Sequence, residues 1–229
     1  MGISENLHAV ERNIAETAEK CGRKSEDIKL ITVSKTIDVE RVNEAITSGA
    51  TRIGENRAQE LIEKLPDLLP VEKHFIGVLQ TNKVKYLVGN VALVHSVDRG
   101  ELLKEIQRQC ARKDERMNIL LQVHIGDEAS KSGVSPEELF PLVEEALQMD
   151  RLTLCGLMTV PPPATGETAR KSFEKLRVCF EQVKHRYGKD CPSFQELSMG
   201  MSGDYEEAIL EGATYVRVGS AIFGARVYR

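Results

Sequence analysis

Short apolar runs alternate along this chain with stretches in which apolar residues recur every three or four positions. Runs rich in β-branched residues are typical of buried strands, and the three-or-four spacing predicts amphipathic helices. The pattern predicts one helix over residues 4–20 and then eight strands, each followed by a helix. The predicted strands lie near residues 29–35, 51–54, 74–77, 91–97, 118–125, 152–160, 196–199 and 215–219.

A strand–helix alternation of this kind predicts parallel strands that are covered by outer helices. Eight such units in about 200 residues fit a (β/α)₈ TIM barrel, and an open doubly wound sheet is the alternative. We find no linker and no break in composition, so residues 1–229 are predicted to form a single domain. The predicted fold class is therefore α/β, a single TIM barrel with an extra amino-terminal helix.

The overall composition narrows the classes of partner. A net charge of −4 gives no electrostatic case for nucleic acid or an anionic membrane. No apolar run approaches the ~20 residues of a membrane span, and the first ten residues lack a signal-peptide pattern. The five cysteines form no CxxC pair, which predicts reduced thiols in the cytoplasm. The five histidines show no ligand spacing, so we predict no metal site and expect most of them at the surface or the barrel rim.

A lysine at the end of the first predicted strand is the first candidate for chemistry. In a TIM barrel the active site lies at the carboxyl ends of the strands. Lys35 would lie there beside the apolar residues of its strand, and burial lowers the pKa of an amine and frees it as a nucleophile. These residues alone leave two interpretations open, a lysine that forms a Schiff base and a solvated lysine at a strand end.

Two loops rich in glycine and serine follow the last two predicted strands, where barrels often bind phosphate. The candidate residues in and beside these loops are Ser198, Ser202, Gly203, Arg217, Gly219 and Ser220. Glycine lets the backbone approach an anion closely, and the serine hydroxyls can donate hydrogen bonds to it. A phosphate site combined with Lys35 indicates either pyridoxal 5′-phosphate (PLP) or a sugar phosphate that is held as a Schiff base.

Seven sequence blocks extend this interpretation over nearly the whole chain. They are VSKT (33–36), GENRAQE (54–60), HFIGVLQTNK (74–83), SKSG (130–133), GLMTVPPP (156–163), LSMGMSGD (197–204) and VRVGSAIFG (216–224). With these blocks in this order, the chain closely resembles the pyridoxal phosphate homeostasis proteins, which look like the barrel domain of bacterial alanine racemase. The resemblance implies the barrel of a fold-type III PLP protein. It also implies that the carboxy-terminal β domain of the racemase is missing, since the sequence ends soon after the eighth strand.

The resemblance implies a role for particular residues. Lys35 would form the internal aldimine with PLP, and Arg217 would face the pyridine nitrogen. The residues that would hold the phosphate are Ser198, Ser202, Gly203, Gly219 and Ser220, and those that would line the ring are Asn56 and Met158. Because a guanidinium only donates hydrogen bonds, the pyridine nitrogen would stay unprotonated, which makes the ring a weaker electron sink.

Two further residues are auxiliary candidates. Lys131 resembles a lysine that takes part in handling the cofactor, although its loop is equally consistent with a solvated lysine. His124 stands where many family members have Asn, and the titration of its imidazole would make cofactor binding pH-sensitive.

The resemblance implies a cofactor carrier or buffer without robust turnover and therefore without catalytic residues. Such a protein keeps PLP available, with PLP-dependent apoenzymes as recipients, and affects the balance of amino acids and keto acids. We expect a monomer, since the racemase dimer depends on the second domain. Three alternatives stay open: a weak single-base racemase, an aldolase-like barrel in which Lys35 attacks a sugar phosphate, and a regulatory protein whose partners recognise the PLP-loaded form.

Overall fold

The eight predicted strands close into one parallel barrel in chain order. In this computed structural model, which describes residues 2–125 and 132–224, the strands are β1 Lys29–Val33, β2 Arg52–Glu55, β3 Glu72–Phe75, β4 Leu93–Val97, β5 Met117–Gln122, β6 Leu152–Met158, β7 Glu196–Met201 and β8 Tyr215–Val218. The α-helices are α1 Ile3–Lys20, α2 Val39–Thr47, α3 Ala58–Lys64, α4 Val84–Leu87, α5 Gly100–Lys113, α6 Pro136–Leu147, α7 Gly166–Tyr187, α8 Tyr205–Leu210 and α9 Ser220–Phe223.

Closure of the barrel depends on pairing between the first and the last strand. β1 and β8 run parallel, and Ile31 lies in register with Arg217. The predicted extra helix, α1, packs against α2, α8 and α9, and the side-chain amide of Asn6 donates to the carbonyl of Ile222 at 3.0 Å. The predicted single TIM barrel with an added amino-terminal helix is therefore confirmed, and the open doubly wound sheet is wrong.

Apolar packing occurs in two layers. The larger layer lies between the outer face of the sheet and the helices. The smaller layer fills the barrel interior with six buried side chains, which are Ile31, Val33, Leu93, Leu120, Met158 and Tyr215. The interior also contains the polar side chains of His74, His95, Ser198 and Arg217, all of them at most 4% exposed. The expectation that most histidines lie at the surface or rim is therefore wrong for the two at 74 and 95.

Polar side chains cap the first turn of two of the helices. Ser135 caps α6, its hydroxyl accepts from the backbone N–H of Glu138, and the Glu138 side chain accepts from the backbone N–H of Ser135. Asp38 caps α2 in the same way by accepting from the N–H of Arg41 at 2.9 Å. Among the helices that the structure describes, none has the length and apolar character needed to cross a bilayer.

Two strand boundaries differ from the predictions in ways that matter for the site. β1 ends at Val33, so Lys35 lies in the turn after the strand and does not itself end it. β3 begins at Glu72, two residues earlier than predicted, because its polar first residues pair with β2 through Arg52 and Ile53. A search for apolar runs misses the polar residues at the amino-terminal end of such a strand.

Candidate functional site

A pocket of about 560 Å³ opens at the carboxyl ends of the strands, where the sequence places the active site. Its described lining includes eight of the predicted site residues: Lys35, Asn56, Met158, Ser202, Gly203, Arg217, Gly219 and Ser220. The remaining described lining residues were not predicted: Val33, Ile76, Gly77, Val78, Gln122, Ser132, Val160 and Met201.

The turn that carries Lys35 rests on a buried ion pair that the sequence analysis missed. The Nζ of Lys64 donates to Glu55 Oε1 at 2.7 Å and to the carbonyl of Ser34 at 2.8 Å. The hydroxyl of Ser34 donates to the same carboxylate oxygen at 2.6 Å. The residue before Lys35 is therefore held through both its backbone and its side chain.

The residue after Lys35 is held by the same network. Lys64 Nζ also donates to Glu60 Oε1 at 2.7 Å, and that oxygen accepts from the backbone N–H of Thr36 at 2.5 Å. Thr36 has a φ of 63°, a left-handed conformation that is an outlier for a β-branched residue. Such strain persists only where the surroundings impose it, and it clusters at functional sites. The network therefore fixes a strained turn on both sides of Lys35.

Glu55 is the most deeply buried carboxylate of this network. Its side chain is fully buried, and its Oε2 has no hydrogen-bond partner among the described residues. Burial raises the pKa of Glu55, while the charge and hydrogen bond of Lys64 and the hydroxyl of Ser34 act in the opposite direction. The only sequence signal for this network was the spacing of Glu60 and Lys64, one helical turn apart.

Arg217 forms the opposite side of the pocket and is also held from behind. Its Nη1 donates to Ser198 Oγ at 2.7 Å, and its Nη2 donates to the carbonyl of Thr159 at 2.8 Å. Burial lowers the pKa of Arg217 to about 10, and the negative charge of Asp204 acts against this shift. The guanidinium therefore stays protonated at neutral pH and acts as a hydrogen-bond donor.

Ser198 lies elsewhere than its predicted role requires. The sequence predicts a phosphate ligand, but this side chain is fully buried beneath Arg217 and is not part of the described pocket lining. Its hydroxyl contacts Arg217 Nη1 and His95 Nδ1, at 2.7 and 2.8 Å. Because β7 alternates between the two faces of the barrel wall, a serine on this strand turns into the interior, whereas a serine in the following loop can reach the pocket.

The two predicted phosphate loops meet at one edge of the pocket. The backbone N–H of Gly219 donates to Ser202 Oγ at 3.1 Å, which joins the loop after β8 to the loop after β7. A Cβ at position 219 would lie 3.2 Å from both the Cβ and the carbonyl oxygen of Val33, so glycine permits close packing on β1. Gly203 and Ser220 are exposed here and are accessible to an anion.

Another part of the pocket lining contains a side-chain amide, Asn56, whose oxygen can accept a further hydrogen bond. Asn56 lines the pocket, and its Oδ1 is buried with no hydrogen-bond partner among the described residues. A Cβ on Gly77 would lie 2.1 Å from the carbonyl oxygen of Asn56, so this close approach requires glycine. Gln122 lies on the same pocket and donates to the carbonyl of Ser132 at 2.9 Å.

Of the two auxiliary candidates, the structure describes His124, which does not line this pocket. His124 lines a separate groove beside Pro136 and Val178, and its Nε2 is buried with no partner among the described residues. Lys131 lies outside the residues that the structure describes.

A larger groove of about 1080 Å³ runs between α7 and α8 and touches the pocket at Ser202 and Gly203. It is lined by charged side chains, and two of its arginines, Arg170 and Arg177, pair with the buried carboxylate of Glu211 at 2.8 and 3.3 Å. The charged side chains of this groove therefore serve to join α7 to the end of α8.

The barrel fold and its lysine-containing pocket define the class of protein. The family model described as "Alanine racemase, N-terminal domain" matches residues 6–227. A curated relative from Aquifex aeolicus (strain VF5), named "Pyridoxal phosphate homeostasis protein", is 42% identical over 231 residues, covering 100% of each chain. The chain therefore belongs to the family of pyridoxal phosphate homeostasis proteins.

Solved structures agree with this assignment. PipY of Synechococcus elongatus PCC7942, solved with PLP bound, is 31% identical with a TM-score of 0.81, covering 92% of this chain and 100% of PipY. An alanine racemase from Clostridium difficile 630 has a TM-score of 0.70 at 17% identity, covering 98% of this chain and 57% of the racemase. At that identity the racemase shows the shared barrel fold alone.

Proposed function

We propose that this chain binds PLP in the Lys35–Arg217 pocket and acts as a carrier or buffer of the cofactor. The observation that carries the proposal is the convergence of an amine, a buried guanidinium and two glycine–serine loops on one pocket. The groups present fit PLP, which offers an aldehyde, a pyridine nitrogen, a phenolic oxygen and a phosphate. The names of the curated relatives and the PLP-bound PipY structure support the same cofactor.

Lys35 is the proposed point of attachment through a Schiff base. Its amine would hold the cofactor through the aldehyde group of PLP, with release of one water molecule. Arg217 would donate a hydrogen bond to the pyridine nitrogen, which would then accept and stay unprotonated. PLP in this state is a weak electron sink, so carbanion chemistry is disfavoured.

The remaining predicted residues take positioning roles in this proposal. Ser202, Gly203, Gly219 and Ser220 bind the phosphate through hydroxyls and backbone N–H groups, since their two loops meet at one edge of the pocket. Asn56 offers its buried amide oxygen to a polar group of the cofactor, and Met158 packs against the ring. Ser198 instead holds Arg217.

The pocket chemistry favours a carrier over an enzyme. Of the described residues that line it, Lys35 and Arg217 alone have titratable side chains. Racemisation by two bases needs a second base on the other face of the substrate, and an aldolase needs a dedicated acid–base group beside the Schiff base. We therefore propose a cytoplasmic, monomeric PLP donor for apoenzymes. A single-base racemase of weak activity is the remaining enzymatic candidate.

Visible absorption spectra test the attachment of the cofactor. The wild-type chain with added PLP should show a Schiff-base band that borohydride abolishes, and mass spectrometry should then locate the pyridoxyl group on Lys35. Lys35→Ala should lack the band, whereas a control with exposed Lys189 replaced, Lys189→Ala, should keep it. No band in the wild-type chain would contradict PLP attachment and favour a sugar phosphate.

Assays of the loaded protein separate a carrier from an enzyme. A carrier should restore activity to a PLP-dependent apoenzyme and should racemise or transaminate amino acids no faster than free PLP does. Sustained racemisation that is abolished in Lys35→Ala would contradict the non-catalytic proposal.

A further inference from the structure

A continuous chain of hydrogen bonds crosses the barrel interior behind Arg217. Arg217 Nη1 lies 2.7 Å from Ser198 Oγ, which lies 2.8 Å from His95 Nδ1. His95 Nε2 lies 2.8 Å from His74 Nδ1, and His74 Nε2 lies 2.6 Å from Glu72 Oε1. Glu72 is the first residue of β3, and its side chain is 40% exposed. The chain therefore joins the pocket to solvent at the opposite end of the barrel.

The two ends of this chain fix the direction of every bond in it. Arg217 can only donate, and the ionised carboxylate of Glu72 can only accept. Neutral His74 must therefore donate from Nε2 to Glu72 and accept at Nδ1. His95 must then donate from Nε2 and accept at Nδ1 from the hydroxyl of Ser198. With both imidazoles neutral, all four ring nitrogens have a partner and neither tautomer is free to change.

The surroundings of the two rings favour this neutral state. His95 is fully buried, and burial is the main cause that lowers its pKa well below the ordinary value. Electrostatic repulsion between a protonated His95 and its neighbours His74 and Arg217 acts in the same direction. Burial also lowers the pKa of His74 despite its bond to Glu72. Among the described residues, the other ionisable groups near these rings are Arg52 on β2, Lys29 on β1 and Tyr215 on β8. The centre of the Tyr215 ring lies 5.4 Å from that of His74 and 5.5 Å from that of His95.

We propose that His95 is a positioning residue for Arg217, acting through Ser198, with its tautomer set by His74 and Glu72. This inference rests on the proposed PLP site, because Arg217 is the group that would meet the pyridine nitrogen. A neutral, one-directional chain holds the guanidinium in a fixed plane without placing a second positive charge beside it. Preorganisation of this kind improves binding because the donor needs no ordering when the ligand arrives.

The tautomers can be measured in the protein without PLP. Long-range proton–nitrogen correlation spectra at pH 7.5 should show Nε2 protonated and Nδ1 bare in both His74 and His95. An Nδ1-protonated tautomer or a charged imidazolium at His95 would overturn the inference. Glu72→Leu removes the acceptor of His74 Nε2, so His74 should then populate both neutral tautomers. An unchanged tautomer of His74 in this variant would contradict the role of Glu72 in setting it.

Cofactor binding tests whether the chain matters for Arg217. His95→Leu should weaken the binding of PLP by about tenfold or more, as expected for loss of a bond that supports a charged group. His95→Gln should restore most of the affinity, because an amide can both donate and accept. Tyr215→Phe, which keeps the ring beside both imidazoles, should bind as the wild type does.

The outcomes separate this inference from the proposed function. Equal PLP affinity of His95→Leu and wild type would overturn the positioning role and leave PLP binding intact. Equal losses in His95→Leu and His95→Gln would show that packing alone matters and would also overturn it. Failure of the wild-type protein to bind PLP would instead contradict the proposed function, while the tautomer measurement would still report on the chain. Urea unfolding at pH 7.5 should confirm that each variant is folded.

Discussion

The two sides of the pocket are supported by buried networks of opposite electrostatic character. Behind the turn of Lys35 lie full charges, with Lys64 between two carboxylates in the layer outside the barrel wall. Behind Arg217 lie neutral groups, a serine and two imidazoles within the barrel. The turn that carries Lys35 is thus held by an ionic network, and the Arg217 guanidinium by a neutral one.

This difference follows from what each side has to hold. The turn of Lys35 is strained at Thr36, and the ionic network binds its backbone on both sides of the lysine. Arg217 already carries a charge in a buried position, so a neighbouring cation would weaken it and a neighbouring anion would compete for its donors. Neutral partners therefore orient the Arg217 guanidinium without a competing charge, whereas ion pairs hold the strained backbone beside Lys35.

The largest effect is expected where the ionic network loses its cation. Lys64→Met should lower the free energy of unfolding by about 3–5 kcal/mol, because Glu55 and Glu60 would lose their buried partner. Urea unfolding at pH 7.5 measures the loss. Lys171→Met, which removes a lysine from an exposed pair with Glu167, is the matched control and should leave the unfolding midpoint unchanged. Equal stability of the two variants would contradict the role of the buried pair.

The two buried serines compare the networks directly. Ser198→Ala leaves both Arg217 Nη1 and His95 Nδ1 without this hydrogen-bond partner and should lower the free energy of unfolding by about 2–3 kcal/mol. Ser34→Ala leaves Glu55 Oε1 with its bond from Lys64, so the loss should be only about 1–2 kcal/mol. Urea unfolding of the two variants under the same conditions gives the comparison. A larger loss for Ser34→Ala would mean that the ionic network depends more on its hydroxyl than the neutral one does.

The neutral network should make stability depend on pH. The pKa of His74 and of His95 is lowered from 6.5 in the native state, so the unfolded chain binds more protons as the pH falls through 6.5. Acidification from pH 7.5 to 5.5 should therefore lower the free energy of unfolding by about 1 kcal/mol from His95 alone, with His74 adding in the same direction. His95→Gln should show a smaller decrease than wild type, and exposed His8→Gln the same decrease.

The smallest expected effect is a gain in stability at the strained turn. Thr36→Gly should stabilise the protein by about 0.5–1 kcal/mol, since relief of the left-handed conformation exceeds the added entropy of glycine in the unfolded chain. Its backbone N–H keeps the bond to Glu60. The thermal midpoint measures this, and Asp114→Gly is the comparison, because aspartate tolerates the φ of 54° at that position. A loss of stability in Thr36→Gly would contradict the strain at Thr36.

The sequence predicted the parts of the fold that repeat and several of the loop residues that line the pocket. Helical spacing and apolar runs revealed the barrel, and Lys35, Ser202 and Gly219 could be placed because the carboxyl ends of barrel strands share one face. The supporting networks could not be predicted in this way. Their members are separated along the chain, as Ser198 and His95 are, and meet only through barrel closure.

Ser198 shows that the position of a residue relative to the pocket is also hard to predict from the sequence. The motif around it placed it with the phosphate loops, but the alternation of side chains along β7 turns it into the interior. A serine near a glycine-rich loop and a serine beneath it look alike in the sequence, and only the register of the strand distinguishes them.

Pairing between β1 and β8 has a consequence for the order of events during synthesis. Lys35 and Arg217 belong to opposite ends of the chain, and the register of Ile31 with Arg217 brings them together only when the last strand has joined the first. A nascent chain on the ribosome therefore possesses the amine long before it possesses the guanidinium and the glycine–serine loop after β8. The pocket is complete only when β8 has joined β1, so a chain that stops short of β8 lacks Arg217 and the loop of Gly219 and Ser220.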